Sequence, residues 1–160
     1  TMFALRLLGS WLIAAILIFI YVNAVIHPLP DPPEGFVKLF DRPGENVIFQ
    51  TMANKTGIAL LEPTGRVIVA CLELLIVLLI LIPASRKTGA LLSMILMAGA
   101  VTAHLLPDVL GRELPVSMEA GTTETDYGRV FALAVSMLAL SVLLYFVHPR
   151  RRRPESSWGG

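Results

Sequence analysis

Glu73 stands alone as a carboxylate in an otherwise apolar stretch, residues 67–82, with Arg66 seven residues before it. A charge near the middle of a bilayer-length segment costs roughly 2.5–3.5 kcal/mol on insertion scales. An acid kept there faces other helices, a cavity or a partner, and its chemistry is proton exchange or retention of a polar head group. Three further polar side chains join it as candidates for ligand binding or proton exchange: Asn23, His27 and His104, each close to one end of an apolar run. Two histidines and a carboxylate are metal-type ligands, but they come from separate segments without local ligand spacing, so no metal is assigned. No catalytic triad signature, phosphate loop or dinucleotide fingerprint accompanies them, no catalytic residue is assigned, and nothing suggests nucleic-acid recognition.

Seven residues make nearly two helical turns, so Arg66 and Glu73 share a face about 10 Å apart along the axis. Helical side chains lean toward the N-terminus, which carries Glu73 toward Arg66 across the small Ala70. The expectation is a direct or water-bridged pair. Two readings stay open: a buried structural pair with interfacial histidine caps, or a polar pocket that binds a small molecule or moves protons.

These residues need a membrane architecture to position them. The 160 residues are 55% hydrophobic and only 16% charged, and the mean hydropathy is +0.72. A soluble domain would be about half apolar and a quarter charged. Four runs, at about 7–26, 65–82, 88–106 and 130–147, approach the roughly 20 residues that cross a 30 Å hydrocarbon core, and only helices satisfy the backbone there. The fold class is therefore all-α, an integral-membrane four-helix bundle. The single cysteine, Cys71, excludes an intrachain disulfide or a CxxC redox centre. Arg6 argues for a basic flank before the first run, whose length fits a signal anchor better than a cleaved signal peptide.

Basic residues set the expected orientation. Arg6, Arg86 with Lys87, and the arginines 150–153 flank one set of ends, whereas the mixed-charge loops 28–63 and 107–128 flank the other. By the positive-inside rule both termini are cytoplasmic and the two long loops face outward. The arginines should anchor the last helix, and 150–160 reads as a basic, disordered tail. The short turn between the second and third runs demands an antiparallel hairpin. Ser93, Met97, Ala100 and His104 form one helical stripe, and Gly128, Ala132, Ser136 and Ala139 another; both predict helix packing. After Pro28, Pro30, Pro32 and Pro33, the apolar residues of 36–52 predict one or two short interfacial helices, broken at Pro43-Gly44. Asn54-Lys55-Thr56 matches a glycosylation sequon on the expected outer loop.

The run from Gly65-Arg66-Val67 to Glu73, then Leu81-Ile82-Pro83, Arg86, Gly89-Ala90 and an alanine-rich span ending in His104, resembles the DoxX family. The likeness covers roughly residues 5–147, Pro28 included; the loop 107–128 and the arginine tail fall outside the family pattern. The resemblance implies a small four-helix bacterial inner-membrane protein. It further implies association with thiosulfate:quinone oxidation, methylamine dehydrogenase maturation or thiol-stress complexes, and an animal relative assists receptor-channel assembly. By this likeness Arg66 and Glu73 are the functional positions, followed by His104. Fold likeness alone does not fix a reaction.

Two expectations follow. In the first, the protein is a membrane subunit of a redox or thiol/quinone-linked system and binds a quinone-like or other small hydrophobic molecule near Glu73, with no covalently bound cofactor. In the second, it is a non-catalytic assembly or interaction protein for another membrane protein. Enzyme status and self-association are open. Partners on either reading are the lipid bilayer and another membrane or redox protein.

Overall fold

A computed structural model describes residues 1–32 and 35–149. Pro33, Glu34 and residues 150–160, with the arginines expected to anchor the tail, lie outside the described residues. Four long helices dominate: α1 (Met2–Val25), α3 (Thr64–Leu81), α4 (Arg86–Leu105) and α5 (Arg129–Val147), with a short α2 (Val47–Thr56) and a 3-10 turn (Ala59–Leu61) between α1 and α3. At 1.5 Å per residue, helices of 18 to 24 residues are about 27–36 Å long. All four long helices are apolar enough to cross a membrane. Among the described residues the remaining regular pairing is one isolated bridge, Pro115 with Thr125.

The four helices close into a ring, α1 against α3 and α5, and α4 against α3 and α5. One end carries the start of α1, the end of α5 and the α3–α4 turn. The opposite end, here the lid end, carries α2 and the segment 107–128. The interior is filled by Leu17, Tyr21, Ile76, Ile80, Met97, Met137 and Leu144. Lipid tails are as apolar as leucine, so this interior is held by close packing and internal hydrogen bonds more than by exclusion of water. Gly89 shows how close the packing is: a Cβ there would lie 2.8 Å from Ile80 Cγ1, so only glycine lets α4 meet α3 at the hairpin.

The lid has its own core of Val47, Leu110 and Leu114. Asn46 starts α2 by accepting the Phe49 N–H, and Gly57 ends it with φ 73°, the left-handed conformation that favours glycine. Of the short helices expected in 36–52, the structure forms this one. Residues 36–40 make a turn instead, because Lys38 and Leu39 donate their backbone N–H groups to the carbonyls of Ala24 and Val25 at 3.1 Å. Those carbonyls are left without partners when α1 stops, and satisfying them takes precedence over a new helix. In 107–128, Asp126 receives the N–H groups of Leu114, Gly128 and Val130, joining the loop to the first turn of α5.

One small-residue stripe packs otherwise than expected. Gly89, Ser93, Met97 and His104 on α4 are buried, but Ala132, Ser136 and Ala139 on α5 are exposed. The packed face of α5 is Ala134, Met137, Ser141 and Leu144. Both faces of α5 carry small residues; the face whose serine can bond Ser93 turns inward.

Candidate functional site

Arg66 and Glu73 do not pair. Arg66 Nε lies 3.0 and 2.9 Å from the two carboxylate oxygens of Glu62, and its Nη groups donate to the backbone carbonyls of Lys38 and Asp41. The lean of helical side chains toward the N-terminus explains the choice. It carries Arg66 away from Glu73 and onto Glu62, four residues earlier. Arg66 is thereby buried as a clamp between the start of α3 and the turn at residues 38–41.

Glu73 instead meets Lys38, whose Nζ stands 3.4 Å from Glu73 Oε2. Both are buried, Glu73 to 3% exposure. The backbone of Lys38 is held from both sides, its N–H on Ala24 O and its carbonyl on Arg66, so the side chain is directed into the bundle. The ion-pair distance exceeds the 2.7–2.9 Å of a charge-assisted hydrogen bond. Glu73 Oε2 takes no hydrogen bond among the described residues.

The pair lies in the wall of a cavity of about 480 Å³ in the lid half of the bundle, a size within the usual range for small-molecule sites. Its wall is otherwise mostly apolar, with Val69, Leu72, Leu92, Leu96 and Leu133 among the lining residues and Phe36, Phe49 and Met52 at the lid. Tyr21 and His104 add polar atoms. His104 Nδ1 is 2.8 Å from Gly111 O; a carbonyl only accepts, so Nδ1 carries the proton and a neutral ring offers Nε2 as an acceptor.

Tyr21 belongs to a hydrogen-bond chain with a fixed direction. Ser141 donates to Met137 O at 2.7 Å, so the 2.7 Å contact between Ser93 and Ser141 uses the Ser93 proton. The 2.6 Å contact between Tyr21 and Ser93 then uses the Tyr21 proton, since each hydroxyl has one. Tyr21 Oη is left with lone pairs only.

The structure therefore joins Glu73 and His104 in one cavity and places Arg66 behind its wall. Asn23 and His27 line other places. Asn23 donates to Phe19 O at 2.8 Å and borders a separate groove beside Pro28. His27 sets its ring edge against Phe36. Sequence reasoning missed Lys38 and Glu62 as partners, and it missed Tyr21. Lys38 did carry a signal: it is a lone cation between Phe36-Val37 and Leu39-Phe40.

A second polar cluster occupies the hairpin end. Arg86, read from sequence as an orienting surface charge, is fully buried. Its Nε and Nη2 donate to Ile80 and Leu81 carbonyls at 2.7 and 3.4 Å, and Nη1 donates to Ser10 at 3.1 Å. The guanidinium also stacks 3.8 Å from the Trp11 ring centre. It needs no carboxylate, because it sits on the carbonyl-rich, partially negative end of α3. Ser10 in turn contacts His148 Nδ1 at 2.7 Å, and His148 Nε2 contacts Pro83 O at 3.0 Å.

Compared with protein-family models, curated proteins and solved structures, the chain matches none.

Proposed function

We propose that the chain is a DoxX-like protein of the bacterial inner membrane. It has cytoplasmic termini and an outward lid, and it holds a small hydrophobic, quinone-like molecule beside Glu73 as the membrane subunit of a redox or thiol-linked system. The observation that carries this reading is the apolar cavity of about 480 Å³ with the Lys38–Glu73 pair in its wall. An inert bundle would gain by replacing such a pair with packed apolar residues, since two charges cost several kcal/mol each to bury. Lys38, and not Arg66, is the cation that holds the acid. A quinone, when bound, supplies reversible electron and proton transfer. Lys38 would donate to one of its ring oxygens, and Glu73 would give or take the proton there. Tyr21 and His104 Nε2 offer acceptors to the reduced form.

The test is mass spectrometry of organic extracts from the purified protein, wild type beside Glu73→Gln. Glutamine keeps the shape and removes the ionisable group. A co-purified apolar compound should fall about tenfold or more in the variant, the worth of one hydrogen bond to a charged group. Equal recovery from a folded Glu73→Gln protein would remove the role of the acid and favour the assembly reading, which the exposed Ala132, Ser136 and Ala139 face of α5 suits. Orientation is checked in a Cys71→Ser background with cysteines at Asn54 and Thr88. An impermeant thiol reagent applied to intact cells should label the first and spare the second.

A further inference from the structure

The cavity has a side door. Gly89, Leu92, Leu96, Gly99 and Ala103 follow at steps of three and four, so they form one stripe along α4. At Gly89 this stripe is pressed onto Leu79 and Ile80 of α3, which shows that the stripe faces α3. Nearer the lid, Leu92, Leu96 and Gly99 line the cavity, as do Val69 and Leu72 of α3. Gly99 is exposed as well as cavity-lining, and a Cβ built there meets nothing within 4 Å. Ile95, beside it on the rim, is 63% exposed. The two helices thus touch at the hairpin and leave a gap toward the lid, within a stretch of α4 long and apolar enough to lie in a membrane. The water-facing route is covered by Phe36, Phe49 and Met52 on a lid that Arg66 clamps.

The polar groups inside the gap restrict what can settle there. Glu73 Oε2 is buried, met by the Lys38 ammonium only at a long 3.4 Å and by no hydrogen bond, so it has room for a donor. Tyr21 Oη has only lone pairs to offer and calls for a donor too. The Lys38 ammonium calls for an acceptor. A hydroxyl group is both donor and acceptor.

We propose that this cavity is loaded sideways from the lipid through the α3–α4 gap, and that it takes a single-tailed amphiphile whose hydroxyl head sits beside the Lys38–Glu73 pair and hydrogen-bonds to both. This rests on the reading that the cavity binds a small hydrophobic molecule, and it adds the route and the head-group chemistry. The tail lies along Leu92 and Leu96, and the head joins the Lys38–Glu73 ion pair from the cavity side.

The experiment uses the full chain in lipid vesicles and, as probe, a phenol whose alkyl tail carries a diazirine. The probe is dissolved in the vesicle membrane, light flashes at increasing delays fix what has entered, and the labelled residues are mapped by peptide mass spectrometry. Wild-type protein should be labelled on the cavity faces of α3 and α4. Gly99→Phe should slow that labelling by about tenfold or more, whereas Val47→Ala, which loosens the lid core outside the cavity lining, should leave its rate unchanged. Ile95→Trp, on the already exposed rim, gives the same slowing if Gly99→Phe fails to fold. An unaltered rate in both rim variants, or a faster rate in Val47→Ala, overturns sideways loading while the binding reading survives. An analogue with hydrogen in place of the hydroxyl should label about tenfold less; equal labelling overturns the head-group assignment. Absence of any cavity label in wild-type protein overturns the binding reading itself.

Discussion

Lys38 sets its ammonium 3.4 Å from the Glu73 carboxyl, and the lid thereby contributes a charge to the interior of the bundle. Removing one partner of a buried pair leaves the other uncompensated. Lys38→Met should therefore lower stability by about 3–5 kcal/mol. Adding Glu73→Leu should recover most of that loss, since neither charge then stays buried alone. Thermal unfolding of the two single variants and the double variant in detergent measures the coupling. Additive losses would show that the two side chains act separately.

Arg66 has the different task of fastening the lid. Arg66→Met deprives the Glu62 carboxylate and the Lys38 and Asp41 carbonyls of their donor. The expected cost is again about 3–5 kcal/mol, with a local signature. Amide exchange in residues 35–46 should accelerate before that of the long helices does. Restoration by Glu62→Gln combined with Arg66→Met would confirm Glu62 as the partner; restoration by Glu73→Gln would return Arg66 to Glu73.

His148 makes stability depend on pH. Burial lowers its pKa, the hydrogen bond to the Pro83 carbonyl partly opposes this, and the nearby Arg86, Lys87 and Arg6 lower it further. The folded chain thus resists a proton that the unfolded chain accepts near pH 6.5. Below that value the unfolded state binds more protons, so the contribution is present above about pH 6.5 and is lost as pH falls. The unfolding midpoint of wild-type protein should drop between pH 7.5 and pH 5.5, and His148→Gln should flatten part of that drop. An unchanged slope in the variant would assign the pH dependence elsewhere.

The two faces of α5 should answer differently to the same change. Ser141 is fully buried and bonded to Ser93, so introducing leucine there, Ser141→Leu, forces extra volume into a packed site and should cost about 1–3 kcal/mol. Ala132 is exposed, and Ala132→Leu should stay within about 0.5 kcal/mol of wild type. Thermal unfolding of the isolated protein separates them. A large loss in Ala132→Leu alone would mean that the stripe packs after all.

Much was legible in the chain itself. Run length and apolarity determined four spanning helices, because a helix must be about as long as the bilayer is thick. The short turn containing Arg86 and Lys87 determined the α3–α4 hairpin, and Glu73 stood out because a charge at that depth is costly. Partner choice was not legible. Arg66 had two acids within reach, Glu62 just before α3 and Glu73 on it, and the decision fell to side-chain direction and to carbonyls supplied by the turn at 38–41. Lys38 reaches Glu73 only because the end of α1 captures the backbone N–H of Lys38, a contact without any sequence period. On α5 the sequence pointed to the stripe of Gly128, Ala132, Ser136 and Ala139, whereas the face that packs is Ala134, Met137, Ser141 and Leu144, joined to α4 by the bond from Ser93 to Ser141. Local periodicity sets what each helix is. Long-range hydrogen bonds, strong where water is scarce, decide which side chains meet.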